Sequence, residues 1–172
     1  MVEKIFVIAA TLFSLVAVTM KKNWQIFALS AIANLLTGVS FLVLGNAKSG
    51  MSITVIAGVQ GAIASFYAIK NKEFSIAEKL IFLVFYVIFG ALNIKNIYDV
   101  LPFGAAMLCM MTLLQKNEQK IRMLNIINSI TWIVYDFIVG STAFYSQLLF
   151  LFMNVASIVA YKSTEVDLND KR

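Results

Sequence analysis

Asn125, Asn128, Trp132 and Tyr135 follow one another at spacings of 3, 4 and 3 residues, so on a helix they share one face. Ser30, Asn34, Thr37 and Phe41 form a second such stripe. Gln147, Asn154, Ser157 and Tyr161 lie along a later apolar run, and Gln60 with Tyr67 along an earlier one. These side chains suit recognition rather than bond-making. An indole can stack on the apolar face of a solute while amides and hydroxyls bond its polar edge. The chain has no His, a single Cys109 and no paired acids within its apolar runs. That leaves no nucleophile–base pair, no multi-thiolate metal site and no intrachain disulfide. We therefore expect no enzyme, no metal and no cofactor. Asp136 is the one acid well inside an apolar run, four residues before Gly140. Two roles are open to it: a proton or cation site, or a carboxylate that reaches headgroup water. Glu78, Asp99 and Glu118 fall at run ends, where solvation is expected, and Met107, Met110 and Met111 read as packing.

The elements that must hold these residues are membrane helices. Of the 172 residues 60% are hydrophobic and 13% charged, with a mean hydropathy of +0.85; a soluble domain carries about 25% charged residues. Runs of the length a spanning helix needs, about 17–25 residues, lie near 4–20, 24–45, 51–69, 77–94, 121–140 and 143–161, with a shorter one at 100–115. They do not alternate in polarity as barrel strands do. Val16-Ala17-Val18 followed by Lys21-Lys22 lacks a signal-cleavage pattern, so the first run reads as a retained helix. Eleven of the fourteen Lys and Arg fall on the side that receives Lys21, Lys22, Lys70, Lys116 and Arg172, and only Lys4, Lys48 and Lys95 on the other. That bias predicts a cytoplasmic C-terminus and an external N-terminus. It also explains the basic pI without a nucleic-acid partner. Trp24 beside Lys22 reads as an interfacial anchor. Trp132 and Asn154 each lie 11 residues into their runs, about 17 Å into a core about 30 Å thick, and Thr37 and Gln60 reach the same level. The alternative for each polar group is to join helices by hydrogen bonds of about 0.6–2 kcal/mol.

An internal repeat organises the runs. The second and sixth end in Gly45 and Gly140, with Leu35 to Leu44 over Ile130 to Val139, and Ala64-Ser65 to Lys70 lies over Ala156-Ser157 to Lys162. The expected architecture is all-α, two parallel three-helix bundles at 1–73 and 99–162. An inversion helix at 74–98 joins them, and a polar tail at 163–172 follows.

Trp132-Ile-Val-Tyr135 followed by Asn154 resembles the Trp-x-x-Tyr and Asn pattern of the SWEET and SemiSWEET sugar facilitators (PQ-loop, MtN3-like), as does the three-plus-one-plus-three layout. Over nearly the whole chain the sequence is similar to the bacterial inner-membrane YgjV-like family. The residues that carry this are Leu101-Pro102-Phe103-Gly104, Arg122-Met123, Trp132, Gly140-Ser141 and Phe152-Met153-Asn154. These resemblances imply an inner-membrane location, a central solute site lined by Trp132 and Asn154, and uniport by alternating access. Departures are plain: Pro102 is the only proline, Thr37 stands where a second Trp would fall, and Gln60 or Ala62 where a second Asn would. They favour a smaller or different solute. The expectation is a transporter of a small polar solute, a sugar being the first candidate, with substrate contacts from Trp132, Asn154, Tyr135, Asn128, Thr37, Asn34, Gln60 and Ser157. Its partners are the lipid bilayer and that solute, and a homo-oligomer is compatible with the sequence. A sensor or an assembly protein is the alternative. Retinal sensing is excluded, because residues 143–161 contain no Lys for a Schiff base.

Overall fold

In the computed structural model, the backbone is described over residues 1–20, 22–114 and 118–169, and the side chains over 1–17, 20, 22, 24–111 and 123–156. The apolar runs fold as seven α-helices: α1 (Val2–Thr19), α2 (Asn23–Leu44), α3 (Lys48–Ile69), α4 (Ile76–Leu92), α5 (Val100–Leu114), α6 (Glu118–Val139) and α7 (Ala143–Asn169). No strand occurs among the described residues. Three boundaries differ most from expectation, the sixth helix beginning at Glu118 rather than 121. The third helix begins at Lys48 rather than 51. The seventh continues to Asn169 where a polar tail was expected from 163, and no Gly or Pro follows Tyr161 to end it. Lys21, Lys116, Lys171 and Arg172 of the charge count lie outside the described residues.

Local chemistry sets the turns. Gly45 and Gly140 adopt left-handed conformations with φ of 82° and 72°, which a residue with a Cβ takes only at a cost. After Gly140 the Ser141 amide donates back to the Asp136 carbonyl at 2.8 Å, closing a Schellman turn. Ser75 and Glu78 cap α4 reciprocally, and the Tyr67 hydroxyl donates to the Glu78 carboxylate. Pro102 sits in the first turn of α5, where its missing N–H costs nothing.

Short connections force successive helices to run antiparallel. One end of the bundle therefore gathers Met1, Gly45, Asp99 and Gly140, and is called the Gly45 end below; the other, at Lys70, is the Lys70 end. α2 packs between α1 and α3, and α6 between α5 and α7. α4 touches α3 and α5, while α3 also meets α5 and α1 meets α7.

Small residues fill much of the interior, beside the buried rings of Phe41, Phe82, Tyr86 and Tyr135. Ala10, Ala31, Ser40, Ala105, Ala106 and Ser129 are buried, and a Cβ on Gly61 would lie 3.3 Å from the Ala31 Cα. Such close backbone approach is how helices associate when the surroundings offer no hydrophobic drive. Large apolar side chains point outward instead: Ile5, Ile8 and Leu12 on α1, Leu80, Ile81 and Val84 on α4, and Phe137 and Phe152 later. An apolar exterior of this extent is foreign to a soluble monomer. Among the described residues, Trp24–Leu44 and Lys48–Ile69 are each long and apolar enough to cross a bilayer, with hydropathies of 2.1 and 1.6. Shorter apolar helical stretches cover Ile97–Met111, Met123–Val139 and Ala143–Ala156.

Candidate functional site

All seven helices contribute to one central cavity of about 220 Å³. Ser14 comes from α1, Asn34 and Thr37 from α2, Thr54 from α3, Tyr86 from α4 and Cys109 from α5. Asn128 and Trp132 come from α6, and Gln147 and Phe150 from α7. Among the described residues no charged side chain lines it. Four residues of the sequence-predicted site, Asn34, Thr37, Asn128 and Trp132, thus meet on its wall. The Thr37 hydroxyl donates to the Ala33 carbonyl at 3.0 Å and the Thr54 hydroxyl to the Gly50 carbonyl at 2.9 Å, which leaves their oxygens as acceptors. Asn128 Oδ1 is buried and has no hydrogen-bond partner in the structure.

The other predicted residues sit elsewhere. Gln60 lies behind Tyr86: its Oε1 accepts from the Tyr86 hydroxyl at 2.7 Å, and its Nε2 faces Met110 Sδ at 3.9 Å. It therefore orients a lining residue without lining the cavity itself. Asn154 is not on the wall, and its amide nitrogen donates to the Phe150 carbonyl of its own helix at 2.9 Å. The Ser157 side chain lies outside the described residues. Ser14, Thr54 and Tyr86 line the cavity without having been singled out; Tyr86, the one tyrosine of the strongly apolar α4, carried the only sequence signal.

A second cavity of about 310 Å³ shares Ser14, Ala33, Asn34 and Phe150 with the first and continues past Ser30 to Ile26. The central cavity is thus prolonged toward the Lys70 end. Toward the Gly45 end aromatic rings cover it. Trp132 stacks on Phe41 with centroids 6.0 Å apart, and Tyr135 meets both rings edge-on at 5.8 and 5.9 Å. Tyr135 is fully buried, and its hydroxyl accepts from the Gly50 amide at 3.1 Å. Ser49 Oγ donates to the Asp99 carboxylate at 2.6 Å. The 3.0 Å bond between Ser49 and Tyr135 must therefore be donated by the phenol.

Asp99 corrects an expectation. It is not solvated at a helix end but only 5% exposed, and it also accepts from the Lys95 and Asn96 amides, each at 2.9 Å. Burial alone would push its carboxyl up, but the Ser49 hydroxyl, the two amides and the Lys95 charge outweigh this. They hold it below the ordinary aspartate value. Glu3, which the sequence did not mark, forms a second tie across the bundle. Its carboxylate accepts from Ser141 Oγ at 3.2 Å, from the Thr142 amide at 2.9 Å and from Thr142 Oγ1. Asn46 Nδ2 adds a bond to the Val139 carbonyl at 3.2 Å, and the Thr11 and Ser146 hydroxyls pair. Asp136 on α6 is 0% exposed, and neither carboxyl oxygen has a partner. The carboxyl is enclosed by protein, so the expectation that it reaches headgroup water does not hold.

A family model described as bacterial inner membrane protein, Imp-YgjV, matches residues 1–165. The chain belongs to the Imp-YgjV family. No curated protein and no solved structure matches it significantly. Imp-YgjV membership makes this a bacterial inner membrane protein, so the outward-facing Ile, Leu, Val and Phe side chains meet acyl chains. In this Imp-YgjV protein Trp24 stands 38% exposed at the start of α2.

Proposed function

We propose that the protein crosses the inner membrane seven times, with Met1 outside, and carries a small neutral polar solute by alternating access. A sugar is the first candidate. The two moving units are α1–α3 and α5–α7, with α4 as the inversion helix between them. Two parallel three-helix rows related by an axis along the membrane normal would bring α1 against α7 and α3 against α5, and those contacts occur. The basic residues crowd the Lys70 end, which makes that end cytoplasmic.

The observation that carries the reading is Asn128, which lines the cavity and whose buried Oδ1 has no hydrogen-bond partner. An acceptor left unmade inside a protein costs about 1–3 kcal/mol, a cost that a hydroxyl-bearing solute would relieve. An uncharged lining favours a neutral solute, and the Trp132 face offers a surface for its apolar side. Continuity toward the Lys70 end, with rings closing the Gly45 end, corresponds to one of the two states that alternating access requires. The lining holds no nucleophile–base pair, and we read a carrier rather than an enzyme. A solute-linked role for α7 rests on Gln147 and not on Asn154.

The test is uptake into liposomes holding the full chain, over a labelled panel of hexoses, pentoses, small carboxylates, amino acids and vitamins. Saturable uptake of a neutral hydroxyl-bearing member is expected. Asn128→Ala should weaken its apparent affinity by up to about tenfold, the size of one neutral hydrogen bond, and Trp132→Phe should weaken it too. Asn154→Ala should leave uptake unchanged. A folded Asn128→Ala variant that transports normally would displace the site, and no movement across the panel would sink the carrier reading.

A further inference from the structure

We infer that Asp136 is a proton-binding site enclosed by the closed Gly45 end, and that opening of that end exchanges its proton with the outside. The coupling half of this inference rests on the carrier reading above; the proton site itself does not.

The geometry is specific. Asp136 lies next to Tyr135, one of the three rings that cover the cavity, and four residues before the left-handed Gly140. It is wholly enclosed, and both carboxyl oxygens lack a donor. A carboxylate buried without donors is too costly to persist as an anion, so it must take up a proton or a cation. A hard cation would collect about six oxygens. Here the nearby hydroxyls are already committed: Ser141 Oγ bonds Glu3 and accepts from the Ala143 amide, and Thr142 Oγ1 bonds Glu3. Among the described residues no group of three or more His, Cys, Asp or Glu could hold a metal ion. A proton needs only one oxygen.

The charged surroundings agree. From α1 the group that acts on Asp136 through space is Glu3, whose bonds to Ser141 and Thr142 hold it in place, while Lys4 is exposed. On its own helix Tyr135 adjoins it, and Asp99 in the turn before α5 acts on that same tyrosine. α2 carries no titratable side chain after Lys22, α3 has only exposed Lys48 at this end, and α5 has only Cys109, at the cavity. On α7 the first is Tyr145, 70% exposed. At the same end Lys95 and the Met1 amine are also exposed, so among the described residues no buried cation accompanies Asp136.

Separation of α1 from the α6–α7 turn would break the Glu3 bonds, admit water to Asp136 and release its proton. Closure would need the proton back. Each closure of the Gly45 end then takes up one proton from the outside and each opening returns it, so the cycle is proton-gated without net proton movement.

Full-length protein in liposomes at neutral pH is compared with Asp136→Asn by infrared spectroscopy. Expected is a carboxylic-acid C=O band that shifts in deuterated water and is missing from the variant; its absence from the unmodified protein overturns the site. The labelled panel is then run with and without an imposed pH gradient. Because that proton leaves to and returns from the same side, external acidity should change the rate of uptake in the unmodified protein without raising the final accumulation, and the ratio of the two initial rates should fall to unity in Asp136→Asn. Should that variant not assemble, Asp136→Glu, which keeps a carboxyl, must retain both a displaced band and a gradient response. Uptake indifferent to the gradient, or driven by sodium at fixed pH, overturns the coupling. If no solute moves, the carrier reading falls and the coupling with it, while the band alone still decides whether Asp136 holds a proton.

Discussion

Cys109 is the only thiol in the chain and it faces the central cavity, which gives the molecule a reporter of its own. A small polar thiol reagent applied from the Lys70 end should modify it and block uptake, and a transported solute should slow that modification. Cys109→Ala should be indifferent to the reagent. Equal modification from both sides of the membrane would contradict the aromatic closure at the Gly45 end. Around this thiol, how much could be read from sequence depended on how local the determining forces are. Asn34 with Thr37 and Asn128 with Trp132 were legible because helical periodicity alone puts each pair on one face. Asn154 shares the periodicity of its helix, yet it satisfies itself on the Phe150 carbonyl, and no pattern distinguishes that from a lining role. Glu3 was illegible because its partners lie 138 and 139 residues away, and Asp99 because its Ser49 partner lies 50 residues away.

Helices as units were easier to read than their contacts. Long apolar runs and the glycines at 45 and 140 located all seven elements, with boundaries within a few residues except the C-terminal end of α7, which runs on to Asn169. The order in which they pack depends on small side chains such as Ala31, Gly58 and Gly61, whose meaning appears only in pairs. At this scale the tie from α3 to the turn before α5 is open to test. Asp99 is held below its ordinary value of 3.8. Its bonds therefore contribute fully above that pH and are lost as pH falls through the depressed folded value. Thermal unfolding in detergent should show that contribution fading in strong acid. Asp99→Asn should be less stable at neutral pH, by about 1–3 kcal/mol for the donors it leaves unmade, and the gap to the unmodified protein should close on acidification. A gap that widened in acid would mean Asp99 is bound as the neutral acid.

Taken as a whole, the molecule has an apolar outside, an inside rich in small residues and a polar hollow at the centre, an order that the inner membrane demands. The proposed direction of the chain can be checked in a Cys109→Ala background. Lys48→Cys should react with a membrane-impermeant maleimide on intact cells, and Lys70→Cys only after permeabilisation; the reverse pattern would invert the topology. The tie between Glu3 and the Ser141–Thr142 turn also sets a timetable. Glu3 precedes its partners Ser141 and Thr142 by 138 and 139 residues, so its carboxylate is made long before the groups that hold it. A chain truncated after α6 would keep that acid unpaired and α1 undocked. The pairing state of Glu3 would then report whether the Ser141–Thr142 turn had been made and docked against α1.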